Sequence, residues 1–202
     1  PVCPGFRGGA SPPGSTFKIL TALEYIRENP LTYQNYSFDC NGRFTSGEDT
    51  IRCFHGTKHG KVDFTTSFAK SCNSSFANMG LTLSRTSFED TLSSLYFNQS
   101  LPVDLTSNIS KVSIGTSSSD SDLIQTVIGQ GTTQMTPLHL SMITSMIANH
   151  GIMMQPYIID HVESADGNLI KSFSPDSLGQ LISEEEADIL KNLMIAVVQE
   201  GT

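Results

Sequence analysis

Two short clusters carry the side chains best suited to nucleophilic chemistry: Ser15-Thr16-Phe17-Lys18 and Ser71-Cys72-Asn73. A serine hydroxyl attacks a carbonyl only when a neighbouring base takes its proton. Lysine can be that base once it is neutral, and burial favours the neutral form. Residues three apart share a helix face, so the Lys18 amine can approach the Ser15 hydroxyl. The free N–H groups of a helix's first turn can help stabilise an oxyanion. Ser71 and Asn73 are short polar side chains that can converge on one point. On residue type alone, Ser15, Ser71 and Asn73 also fit ordinary helix caps, with Lys18 in solvent.

The cysteines offer a second chemistry. Cys3, Cys40, Cys53 and Cys72 are too few for a disulfide scaffold, although Cys40 and Cys53 flank a Gly-containing loop and can pair in an oxidising compartment. A zinc set of Cys40, Cys53, His55 and His59 matches no paired-ligand spacing, and plain turns account for both histidines. The spacing therefore gives no reason to expect a metal.

The elements that must position these residues follow from hydrophobic spacing. Pro13-Gly14 punctuates a loop, and Phe17, Ile19, Leu20, Leu23, Tyr25 and Ile26 surround a helix from about Ser15 to before Pro30. A helix apolar on nearly all sides is buried, which makes Lys18 a charge in need of partners. Residues 31–62 read as loops with short strands. Asp63 caps a short helix over 64–70, and a further helix starts just after Ser71-Cys72-Asn73. Residues 87–97 form a short amphipathic helix. The polar stretch 98–122 reads as a long loop with a solvated tip at Ser117–Asp122. Thr136-Pro137 opens a core helix that Gly151 ends. Tyr157–Ser164 and Leu169–Phe173 form a hairpin about Asp166-Gly167, and Ser183 with Glu186 forms the capping box of the last helix. Gly129-x-Gly131 lacks the third glycine of a nucleotide loop.

The 202 residues suit one domain, and a charged fraction of only 16% argues for a globular chain. A net charge of −8 without a basic cluster argues against nucleic acid as a partner. No run is apolar enough to span a bilayer. The start without Met and the stop at Gly201-Thr202 read as the ends of a fragment.

As an ordered set, these stretches resemble the transpeptidase domain of penicillin-binding proteins, the serine acyltransferases that cross-link peptidoglycan. The matching residues are Pro13-Gly14-Ser15-Thr16-Phe17-Lys18, His59-Gly60, Ser71-Cys72-Asn73, Ile128-Gly129-Gln130-Gly131 leading to Thr136-Pro137, Ile147-Ala148-Asn149-x-Gly151 and Val197-Val198-x-x-Gly201-Thr202. His-Gly ahead of Ser-Cys-Asn looks more like the monofunctional, class B type. The resemblance implies an α+β fold of the β-lactamase/transpeptidase kind. Residues 1–202 would be part of that domain, dominated by its helical lobe with a β-hairpin, and residues 1–11 match poorly. Most of the central sheet would lie outside the chain.

The resemblance also implies a mechanism that needs no metal and no organic cofactor. Ser15 would attack a stem peptide ending in D-Ala-D-Ala, Lys18 would be its base, Ser71 would relay a proton, and Asn73 would hold Lys18 and the substrate backbone. β-Lactam antibiotics would acylate Ser15, and other cell-wall synthesis proteins are possible partners. The parent would be anchored at the extracytoplasmic face of the bacterial plasma membrane. The family's Lys-Thr-Gly motif does not occur in these residues, so the isolated fragment is expected to turn over little. Three rivals share the Ser-x-x-Lys start: a class D-like β-lactamase, which Asn73 argues against, a β-lactam sensor domain, and a non-catalytic cell-wall scaffold.

Overall fold

The computed structural model describes residues 9–104 and 106–201, so Cys3 and the Pro1–Pro4 opening lie outside the described residues. A single 3-10 turn, Gly14–Phe17, feeds directly into helix α1, Lys18–Glu28. The expected helix from Ser15 is thus present, with its first turn wound more tightly. Phe17, Ile19, Leu20, Leu23 and Ile26 are all buried. Each such side chain contributes roughly 1.5–3 kcal/mol when fully removed from water. The Phe17 ring meets Phe88 and Phe97 edge-on, at centroid distances of 6.3 and 5.7 Å.

Short strands follow: β1 (Ser37–Cys40), β2 (Arg43–Ser46), β3 (Asp49–Arg52) and β4 (Gly60–Asp63). They form two antiparallel ladders, β1 with β4 and β2 with β3. In the first ladder Cys40 stands opposite Gly60. The Asp63 carboxylate accepts from Thr66 N–H at 2.7 Å and caps α2, Phe64–Ala69, as the sequence indicates.

Helix α3 runs from Asn73 to Gly80 and packs on α1. Its cap is Cys72, whose sulfur accepts from Ser75 N–H at 3.4 Å. The capping reading of Ser71 and Asn73 therefore fails. Helix α4 spans Arg85–Ser94. The Ser117–Asp122 tip is a correction: it opens a helix, α5 (Asp120–Thr126), through a capping box of Ser119 and Asp122. The loop before it is pinned as well, because the Asn98 side chain bonds both the N–H and the carbonyl of Val112.

Thr136 caps α6, Pro137–Ala148, and the chain turns at Gly151, whose φ of 88° and contact with the Ile182 carbonyl leave no place for a Cβ. Strand β5 (Ile152–Met154) pairs with β8 (Ser177–Gln180), a ladder the sequence did not reveal. The hairpin is shorter than expected: only β6 (His161–Glu163) and β7 (Leu169–Ser172) pair, and both are exposed. Helix α7, Glu184–Glu200, starts at the expected capping box. Arg27 bolts α1 to it, with Nε 2.7 Å from Glu186 Oε1, and also reaches Thr91 on α4 at 3.0 Å. Charge-assisted pairs of this type hold orientation as well as contributing energy.

Candidate active site

The Ser15 and Lys18 side chains meet because the 3-10 turn superimposes residues i and i+3. Ser15 is exposed, while Lys18 is only 1% exposed. Lys18 Nζ lies 3.4 Å from Ser15 Oγ. It lies closer to three other oxygens: Ser71 O at 2.7 Å, Ser71 Oγ at 2.9 Å and Asn73 Oδ1 at 2.6 Å. The Phe76 ring covers the amine, 5.4 Å from Nζ to the centroid. A protonated amine has three hydrogens, and the three short contacts can use all of them. A neutral amine keeps two hydrogens, leaving its lone pair for a hydroxyl proton.

Burial lowers the Lys18 pKa from 10.5 to about 8, against the opposing influence of the Cys72 and Cys53 sulfurs. A pKa near 8 leaves on the order of a tenth of the amine neutral at pH 7, enough for a base that works near that pH.

The second cluster is shaped by backbone strain. Ser71 has φ 49°, in the left-handed region that a residue with a side chain rarely adopts. That conformation costs roughly 1–2 kcal/mol and turns both Ser71 oxygens toward Lys18. The Asn73 amide is held at both ends, with Oδ1 on Lys18 and Nδ2 donating to Arg52 O at 3.0 Å. Three of the four side chains singled out in the sequence thus converge on the amine of the fourth, Lys18.

The mouth of α1 has a support that sequence reasoning missed. Gly14 N–H donates to Gly129 O at 3.0 Å, and Thr21 Oγ1 donates to Val127 O at 2.8 Å. Gly129 has φ 70°, and a Cβ there would overlap the Gly14 carbonyl and crowd Phe17. The close approach of two backbones is the signal in Ile128-Gly129-Gln130-Gly131, and only coordinates reveal its partner.

Two cysteine questions that the sequence left open take a definite form in the structure. Cys40 and Cys53 are free, with sulfurs 3.6 Å apart, where a disulfide needs about 2.05 Å. His55 is exposed and lies apart from the group that does assemble, which is Cys40, Cys53, His59 and Cys72.

The family profile described as penicillin binding protein transpeptidase domain matches residues 9–202. The chain belongs to the penicillin-binding protein transpeptidase family. Among curated relatives, the peptidoglycan D,D-transpeptidase PbpA of Mycolicibacterium smegmatis is 26% identical over 191 residues, covering 93% of this chain and 39% of that protein. The chain therefore spans well under half the length of that relative. Among solved structures, the D,D-transpeptidase domain of a peptidoglycan glycosyltransferase from Eggerthella lenta superposes with a TM-score of 0.86 at 26% identity, over 99% of this chain and 51% of the other. The penicillin G acyl-enzyme complex of penicillin-binding protein A from Mycobacterium tuberculosis gives 0.87 at 23% identity, over 98% and 46%, which bears on the fold alone. The mixed helix-and-strand architecture is that of part of a transpeptidase domain, in line with the α+β expectation.

Proposed function

We propose that this transpeptidase-family chain carries the nucleophile half of a peptidoglycan D,D-transpeptidase site. One observation carries the reading: a buried lysine amine lies within reach of Ser15 Oγ, Ser71 Oγ and Asn73 Oδ1, side chains drawn from two separate segments. Neutral Lys18 takes the Ser15 proton as Oγ attacks the penultimate D-Ala carbonyl of a stem peptide. The Ser15 backbone N–H faces the developing oxyanion. Ser71 passes a proton to the leaving D-Ala amine, and an acyl-enzyme remains. An amine from a neighbouring stem peptide then accepts the acyl group, and the same groups return the proton. β-Lactams acylate Ser15 by the same first step.

The parent works at the extracytoplasmic face of the plasma membrane, held there by a segment outside this chain. Among the described residues no helix is long and apolar enough to cross a membrane. The isolated chain turns over slowly, because the Lys-Thr-Gly strand that completes such a site is not among its residues. Loss of one oxyanion donor alone costs on the order of a hundred- to a thousandfold in rate.

The test is fluorescent penicillin labelling of the parent protein. Ser15→Ala abolishes the label if the reading holds. Label that persists on the variant removes Ser15 from the chemistry.

A further inference from the structure

We propose that Cys40, Cys53, His59 and Cys72 form a closed tetrahedral Zn²⁺ site that clamps the Ser71-Cys72-Asn73 segment. The ligands come from separate parts of the fold. Cys40 ends β1, Cys53 follows β3, His59 precedes β4, and Cys72 caps α3. Their ligand atoms all lie within 4.8 Å of one another. The sulfurs of Cys40 and Cys53 are 3.6 Å apart, those of Cys53 and Cys72 are 3.7 Å apart, and Cys40 Sγ is 3.4 Å from His59 Nδ1. A tetrahedral zinc with Zn–S near 2.3 Å and Zn–N near 2.05 Å sets S···S edges of about 3.8 Å and S···N edges of about 3.6 Å. Those three spacings sit within a few tenths of an ångström of these edges, and the remaining pairs stay within 4.8 Å.

Neither plain packing nor disulfide bonding accounts for the cluster as well. Buried free cysteines pack as small hydrophobes, but that packing does not call for an imidazole nitrogen aimed at the same point. A disulfide joins two sulfurs, whereas Cys53 lies nearly equidistant from two, and either bridge would strand a buried thiol. The surroundings also supply polar partners to two of the sulfurs. Ser75 N–H donates to Cys72 Sγ, and the Ser74 hydroxyl lies 3.1 Å from Cys53 Sγ. Donors to the sulfurs of a metal site are the outer shell that fixes ligand geometry. Soft thiolates in a compact tetrahedral set select zinc over hard cations, and three cysteines with one histidine leave no open coordination position.

The consequence for the neighbouring site follows from sequence position. Cys72 stands between Ser71 and Asn73, so a metal on its sulfur holds the strained Ser71 backbone and the Asn73 amide against Lys18. That consequence rests on the proposed acyl chemistry; the metal site itself does not.

The experiment measures metal and stability in the parent protein, purified from zinc-supplemented medium under reducing conditions. Elemental analysis is expected to find about one zinc per chain. Exchange with Co²⁺ is expected to give the visible ligand-field bands of a thiolate-rich tetrahedral site. A chelator is expected to lower the melting temperature by about 5–10 °C. Cys53→Ser should lose the metal. Should that variant fail to fold, the half-buried His59→Ala provides the same reading through weakened zinc retention, and His55→Ala should keep the metal in full. Substoichiometric zinc with a chelator-insensitive melting temperature overturns the proposal, as does peptide mapping that finds a Cys40–Cys53 or Cys53–Cys72 disulfide. Because no readout uses penicillin, failure here is separable from failure of the acyl-transfer reading.

Discussion

Lys18 and Glu24 lie on the same helix and are equally hidden from water, at 1% and 0% exposure, yet their surroundings are opposite. Lys18 is ringed by four oxygen contacts from two segments. Among the described residues no N–H or hydroxyl group donates to either carboxylate oxygen of Glu24. Glu28, one turn on, has its pKa raised by burial and by the charge and side-chain hydrogen bond of the Glu24 carboxylate, although it accepts from Ser84 N–H at 2.9 Å. A third buried ionisable group, His139, falls between these extremes. Its Nε2 lies 2.7 Å from Leu95 O, while Nδ1 has no partner among the described residues. An ion taken out of water costs several kcal/mol unless its lone pairs or protons are satisfied. The fold places its polar atoms at the mouth of α1 and leaves Glu24, farther along the same helix, without donors, so two buried charges on one helix are treated oppositely.

Changing the satisfied group should give the largest effect. Lys18→Met is expected to slow penicillin acylation by about a hundred- to ten-thousandfold, measured by stopped-flow or quenched labelling. A rate within a few-fold of the parent would mean that the ring of oxygens serves packing and not proton transfer.

His139 should show the next effect, through pH. Burial lowers its pKa from 6.5 to about 4. Above pH 6.5 neither state carries the proton. Below it the unfolded chain binds a proton that the folded chain refuses, so stability drops as the solution is acidified. The loss amounts to about 2 kcal/mol between pH 6.5 and 5. Urea titrations across that window check it, and His139→Gln should flatten the slope.

Glu24 should give the smallest effect, and one of opposite sign. Glu24→Leu is expected to raise stability by about 1 kcal/mol or somewhat more, since an apolar group of similar volume needs no partner. Denaturant midpoints measure it, and acylation should be unchanged. A destabilised variant would show that the carboxylate has a role in holding α1 after all.

Much of the fold was legible where local chemistry is decisive. Asp63, Thr136 and the Ser183–Glu186 box each announced a helix start, and each makes the cap bond in the structure. Helix α5 was hidden because Ser119 and Asp122 look like any polar loop until the apolar residues after them are read as a buried face. The β5–β8 ladder was hidden for a different reason: its strands are three and four residues long and their pairing is set by α6 packing on β5. At the site, Ser15, Lys18, Ser71 and Asn73 were readable because fixed spacings encode them within one turn or one triplet. Gly129 and the thiol cluster were not. The cluster's pattern, Cys40-x12-Cys53-x5-His59-x12-Cys72, has no close pair of ligands and closes only when the β1–β4 register sets His59 beside Cys40.

Gly129 also bears on how such a chain can vary. Every non-silent single-base change of a sense glycine codon adds a side chain or ends translation, and at this position any side chain would push into the Gly14 backbone. The loop that presents the Ser15 hydroxyl is therefore held by a position with no tolerated genetic neighbour. Drift in this loop must pass through other codons.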